Sequence, residues 1–98
     1  MKTFKDLEFI KKDNFVAFQA RMEFDNGYEL SVVAGKGIYC SPRENLAFVD
    51  EYNSFEVAVF TSDGNFTNEF FPEGTNDIVL GCQNRDQINT LMLLIQSK

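Results

Sequence analysis

The one stretch with the composition of a ligand loop is Gly35-Lys36-Gly37-Ile38-Tyr39, with Arg43 four residues further on. Its glycines let backbone N–H groups come close to an anion, Lys36 and Arg43 supply positive charge, and the Tyr39 ring is suited to stacking on a base. Lys36, Gly37, Tyr39 and Arg43 are therefore the candidate binding residues, and a nucleotide is the ligand that fits their chemistry. The spacing matches no phosphate-binding loop, and glycines serving a flexible turn are the plainer account.

Catalytic apparatus is missing. The chain has no histidine, which removes the commonest general base and metal ligand, so neither a Ser-His nor a Cys-His nucleophile can be assembled. Cys40 has Arg43 three residues on, and a nearby cation lowers a thiol pKa. Without a partner base, an inert loop thiol is the plainer reading. Cys40 and Cys82, the two cysteines, form neither a disulfide framework nor a four-ligand zinc set. Both are expected to be reduced, Cys40 in a loop and Cys82 buried. Asp50 and Glu51 are adjacent, so in extended chain they point apart and read as solvated loop. No catalytic residue, metal ligand or cofactor is expected, and binding rather than catalysis is the function class that remains.

Composition narrows the partners. A formal charge of −6 and a pI near 4.5 disfavour a nucleic-acid binder that tracks the backbone, since phosphate neutralisation needs clustered Lys and Arg. The acid is uneven: from Glu44 to Asp77 there are eight carboxylates and no Lys or Arg, whereas residues 1–12 hold four Lys against two acids. Solvated faces explain that run, and an acidic DNA mimic is the sharper alternative, although −6 is modest beside a duplex carrying one charge per about 1.7 Å. Ninety-eight residues make one domain, able to bury roughly 60 to 70% of its unfolded surface. Eleven Phe and no Trp make phenylalanine the core filler. Met1 to Asp6 lacks the apolar core of a signal peptide and no run reaches the length of a membrane span, so a cytoplasmic protein without membrane contact is expected.

The elements are organised around two alternating runs flanking Asp25-Asn26-Gly27. Val16, Phe18, Ala20, Met22 and Phe24 are followed by Tyr28, Leu30, Val32 and Ala34, all at even positions. A two-residue turn would set Phe24 against Glu29. A three-residue loop pairs Phe24 with Tyr28, Met22 with Leu30 and Ala20 with Val32 on one face, with Gly27 left-handed in a bulge. Leu7 to Ile10 is a short candidate strand, joined to this hairpin by the polar turn Lys11-Lys12-Asp13-Asn14. Irregular sequence from Gly35 to Ser54, interrupted by Leu46-Ala47-Phe48-Val49, makes an unusually long connection and the first place to look for function. Phe55–Thr61 and Phe66–Phe71 are the next strands. A two-residue turn at Asp63-Gly64 between them would oppose Thr61 to Phe66, Val59 to Asn68 and Val57 to Phe70. Ile78-Val79-Leu80 is a further short apolar run ending at Gly81. The expected fold is α+β: an antiparallel four- to five-stranded meander backed by one C-terminal helix.

That helix begins at an Asn84 cap with Gln87 three residues on, and it repeats Ile88, Leu91, Met92 and Ile95 at i, i+3, i+4 and i+7. Burying the four gives roughly 6 to 12 kcal/mol of gross transfer free energy. Leu93 and Leu94 fall on the flanks of the stripe. Either neighbouring loops cover them, or they form the surface of a homodimer or of a partner complex.

With FDNGYELSVV, FEVAVF, DIVLGCQ and the closing helix in hand, the chain resembles a group of short uncharacterised proteins from tailed-bacteriophage genomes. The likeness covers most of the chain, is weakest over Ile38 to Asn53, and puts Cys82 where relatives often carry Trp. It carries no catalytic motif. It implies an accessory product acting in the infected cell by binding, and inhibiting or modulating, a host protein such as a defence factor. A protein that sequesters a nucleotide signal and an acidic DNA mimic are the alternatives.

Overall fold

The hairpin forms in the register that the side-chain alternation requires. In the computed structural model, which describes residues 1–12 and 14–98, strands β2 (Phe18–Glu23) and β3 (Glu29–Ala34) pair antiparallel with Ala20 opposite Val32 and Met22 opposite Leu30. Phe24 N–H donates to the Tyr28 carbonyl at 2.8 Å and Gly27 N–H to the Phe24 carbonyl at 2.9 Å, closing the three-residue loop. Gly27 has φ +92°, a conformation that is costly for any residue with a Cβ.

Among the described residues the sheet has six strands, more than the four or five expected, all paired antiparallel. Strand β1 is Ile10–Lys11, displaced from the expected Leu7–Ile10, because Leu7 and Phe9 leave the sheet and pack into the core. Asp13, in the polar turn expected at 11–14, lies outside the described residues. Strand β4 (Phe55–Phe60) follows the long connection and pairs with β3. Its other edge is divided: β5 (Phe66–Thr67) takes Val59 and Phe60, and β6 (Val79–Gln83) takes Phe55 to Ala58.

That division corrects two expectations. Thr61 N–H donates to the Asn65 carbonyl at 2.8 Å and Phe60 faces Phe66, so the second turn has three residues, Ser62-Asp63-Gly64, like the first. Strand β5 stops at Thr67 instead of Phe71, and Val57 faces Leu80 rather than Phe70. The adjacent rings explain this, since alternation would send one of Phe70 and Phe71 to each face. Leaving the sheet lets both turn inward, Phe71 buried in the core and Phe70 edge-on to Tyr28 at 5.1 Å.

Helix α1 (Arg85–Gln96) lies across the inner face. Asn84 Oδ1 accepts from Gln87 N–H at 2.8 Å while Gln87 Oε1 accepts from Asn84 N–H at 2.9 Å, and Ile88, Leu91, Met92 and Ile95 are its buried residues. They meet Leu30, Val32, Val57 and Val59 of the central strands, with Tyr52 and Phe55 fully buried beside them. The result is a single α+β domain with a radius of gyration of 12.7 Å, about that of a compact chain this long. Among the described residues, no helix is long and apolar enough to cross a membrane.

Candidate functional site

The long connection is built as structure. Tyr52 is fully buried, its hydroxyl accepting from Leu46 N–H at 3.0 Å and donating to the Glu44 carbonyl. Ser41 bridges Ser54, and Asn45 ties both sides, its Oδ1 accepting from Lys36 N–H and its Nδ2 donating to the Asn14 carbonyl. Leu46 and Val49 pack against the core while Phe48 stays exposed. Arg85, at the first turn of α1, donates from Nη1 to the Tyr52 carbonyl at 2.7 Å. Its guanidinium lies 5.2 Å from both the Phe4 and the Phe55 ring centres.

Inside this segment the residues singled out for an anion are already engaged. Each N–H from Gly35 to Cys40 has an internal acceptor: Cys40 Sγ, Asn45 Oδ1, the Phe15 carbonyl, the Gly35 carbonyl, Glu56 Oε2 and the Ile38 carbonyl, in that order. Gly37 is glycine because a Cβ there would lie 2.5 Å from Phe15 Cβ. Close packing on an aromatic ring, not access for a phosphate, explains it. Lys36 Nζ lies 5.9 Å from the Phe15 ring centre, and the Arg43 guanidinium stacks on exposed Tyr39 at 4.8 Å. The structure thus brings Tyr39 and Arg43 together, turns Lys36 to Phe15, and offers no free cluster of backbone donors. Cys40 lies in the connection, as expected of a loop cysteine, but is buried there, and Cys82, expected to be buried, is exposed. Burial pushes the Cys40 thiol above its ordinary pKa, away from the thiolate a nucleophile needs. Among the described residues, no three His, Cys, Asp or Glu side chains gather as a metal site.

A groove opens instead beside α1. It has a volume of about 380 Å³ and a floor of Phe70, Phe71, Leu80, Leu91 and Leu94, with Pro72 at one end. Gln83, Gln87 and Thr90 supply its polar rim. At 100° per residue Leu94 sits beside Gln87 and Leu91, whereas Leu93 sits with Asn89 and Gln96 on the opposite flank. That flank faces the amino-terminal segment: Asn89 Oδ1 accepts from Phe4 N–H, and Gln96 exchanges hydrogen bonds with the Lys2 backbone. Both leucines remain about half exposed, 45% and 51%. They do not form one surface. Leu94 belongs to the groove and Leu93 does not.

One wall of the groove is β6, the outermost strand on that side of the sheet. Since Thr61 N–H bonds to Asn65, odd residues of β4 direct their backbone groups toward β5 and β6 and even residues toward β3. Val57 and Leu80 therefore bond to each other, and Val79 and Gly81 point their backbone groups outward. One extra residue bulges between Leu80 and Gln83, with Cys82 at φ +54° donating its N–H to the Tyr39 carbonyl at 2.9 Å. Helical periodicity made Leu94 visible from sequence. The free edge of β6 had no sequence signal, because it depends on two strands sharing one side of β4.

The loop between β5 and β6 borders the groove and is acidic, carrying Glu69, Glu73 and Asp77 and no Lys or Arg. Glu69 is matched: Lys98 Nζ at 2.9 Å and the Tyr28 hydroxyl at 2.8 Å hold its carboxyl below the usual range. Glu73 and Asp77 are exposed and make no ion pair among the described residues. No family model, no curated protein and no solved structure matches the chain.

Proposed function

We propose that the chain is a small phage-encoded accessory protein that binds a host protein through the groove between α1 and β6 and inhibits or modulates it by occlusion, without chemistry of its own. The observation that carries this reading is the groove itself, an apolar depression with half-exposed Leu94 in its floor and an acidic loop at its border. Burial of Leu94 and its neighbours against a partner would remove apolar surface from water, the main driving force of association. The missing histidine and the raised Cys40 thiol pKa agree with a binder rather than a catalyst. The nucleotide alternative retains only the Tyr39–Arg43 stack, its backbone donors being committed. A DNA mimic would need carboxylates on one face, and the acids between Glu44 and Asp77 include Glu56 beside the Tyr39 amide and Glu69 beneath Lys98.

The test is affinity capture from bacterial lysate with the wild type, Leu94→Asp and Leu93→Asp side by side, followed by native mass spectrometry. A partner of fixed stoichiometry that is kept by Leu93→Asp and lost by Leu94→Asp supports the reading. Capture indifferent to Leu94, or a nucleotide mass released on denaturation, overturns it.

A further inference from the structure

The two edges of the sheet are guarded differently. At the β1 side Lys11, then Glu23 on the adjoining β2, put charges near where a foreign strand would dock, the usual protection of an exposed edge, while Arg21 is drawn across the sheet to Glu29 and the Phe60 ring. Ile78 to Gln83 at the other side contains no charged residue and no proline. Ile78 is 48% exposed. Among the described residues, no hydrogen bond outside the strand ladder engages the backbone of Val79 or the N–H of Gly81. The Gly81 carbonyl accepts from Gln83 Nε2 at 3.0 Å, a side-chain amide standing where a partner strand would place a backbone N–H. Tyr39 closes the carboxyl end of the strand, its carbonyl accepting from Cys82 N–H at 2.9 Å and its Cβ 2.7 Å from where a Gly81 Cβ would lie, so the open stretch, Ile78 to the Gly81 N–H, is the part that runs along the apolar groove.

We propose that β6 is a strand-addition site for an extended, cationic peptide segment. This rests on the protein-binding reading above and specifies its mode. The incoming strand runs along β6 and exchanges backbone hydrogen bonds with Val79 and Gly81, displacing the Gln83 amide from the Gly81 carbonyl. Side chains alternate across a strand, so the partner residue opposite Leu80 points to the inner face and drops an apolar side chain onto Leu91 and Leu94. Its flanking Lys or Arg residues meet Glu73 and Asp77. Main-chain bonds supply affinity and the groove supplies selectivity, as in other strand additions. The same charges decide against a second copy of this chain. Pairing β6 with β6 would bring two acidic loops together in a protein of net charge −6, whereas a cationic segment is attracted to that border.

The experiment uses an array of peptides about nine residues long, with Lys at both ends and alternating apolar positions between, read first as binding of the labelled full-length protein. The best binder is then titrated in solution with amide NMR detection. Expected are shifts centred on Val79, Gly81 and Gln83, a loss of affinity of at least tenfold when alternate peptide amides are N-methylated, and a similar loss when the terminal Lys are replaced by Glu. Val79→Pro removes an outward N–H while leaving the β4 ladder intact and is expected to weaken binding at least tenfold, with Leu93→Asp unchanged. Should Val79→Pro not fold, the N-methylated peptides on the wild-type protein decide. Binding to no array member, indifference to N-methylation, or a peptide-free dimer through β6 overturns the proposal. A lysate partner lost with Leu94→Asp but kept with Val79→Pro would sink strand addition and leave the protein-binding reading standing. Peptide addition at β6 without any lysate partner would do the reverse.

Discussion

Arg85 is the side chain whose removal tests the structural account most sharply. It is the first residue of α1, where a positive charge is unfavourable by about 0.3 to 1 kcal/mol against the helix dipole. Something must outweigh that. The Nη1 bond to the Tyr52 carbonyl at 2.7 Å is charge-assisted and contributes about 1.5 to 3 kcal/mol, while the 3.4 Å contact to the Val49 carbonyl adds little. Two rings at 5.2 Å contribute about 0.5 to 1 kcal/mol each for a half-buried guanidinium. Subtracting the relieved dipole term, Arg85→Ala is expected to destabilise the fold by about 2 to 4 kcal/mol. Unfolding entropy near 0.2 kcal/mol/K for a domain of this size converts that to a Tm lower by about 10 to 20 °C. Arg85→Lys keeps the charge but not the flat group that stacks and donates at once, so it should recover less than half of the loss. Urea unfolding followed by circular dichroism gives the numbers, with the m-value unchanged. An Arg85→Ala variant within about 0.5 kcal/mol of wild type would refute the view that this residue fastens the long connection to helix and sheet.

Other substitutions have smaller expected effects. Asn84→Ala removes the side-chain cap and should cost about 1 kcal/mol, measured by the same melts; an unchanged midpoint would count against the cap. Gly27→Ala should cost more than Gly64→Ala, because both have positive φ but only at Gly27 does the new Cβ meet Ser62 Cβ, at 3.0 Å. Equal losses would show that the contact yields freely. Ser54 Oγ is buried with no partner among the described residues, so Ser54→Ala should raise stability by up to about 1 kcal/mol, and a clear loss would mean that the hydroxyl is bonded. Stability should be flat from about pH 5 to about pH 8.5 and fall on both sides. On the acid side, hydrogen bonds from Arg21 to Glu29 and from Lys98 to Glu69 hold both carboxyls below their ordinary 4.5. Their contribution is present above that value and lost as pH falls through the folded pKa, and it is small because both pairs are largely screened by solvent. On the alkaline side, burial raises Cys40 from 9.0 and Tyr52 from 10.0, so the folded state holds protons that the unfolded state releases. A urea midpoint that climbs between pH 9 and 11 would contradict this sign.

The first hairpin was legible because its strands alternate strictly and a register slip of one residue would have turned every core side chain outward. Helix α1 was legible for the same kind of reason, four apolar positions on one stripe with a reciprocal cap. The second turn is one residue longer than the side-chain pattern predicts. Thr61 and Phe66 could be opposed without any obvious burial penalty, so the side chains there constrained the register weakly, and the true constraint lay in Phe70 and Phe71, which pull the chain off the sheet. Cysteine placement failed for a related reason. Cys40 follows irregular sequence that carries no periodic burial signal, and Cys82 sits on a bulge whose φ of +54° turns it away from the alternation of β6.

The length of the 35–54 connection pointed to function, and the structure gives it different work. One helix of twelve residues, about 18 Å long, supplies four buried side chains to the inner face and leaves the rest of the core to other segments. The connection makes up the deficit with Tyr52 in the core, Leu46 and Val49 against it and Arg85 as the fastening. Its backbone donors are consumed in holding that shape, which is why a loop composed like a ligand site has no open anion cradle. The places left with unmet bonding capacity are where the chain had no spare residues to cover them. Strand β6 is such a place, since the loop that precedes it is drawn inward by Phe70 and Phe71 and the helix that follows it lies on the inner face. The economy that closes one end of the sheet therefore leaves the Val79 backbone and the Gly81 N–H without partners among the described residues, and that is the bonding capacity the proposed strand addition would use.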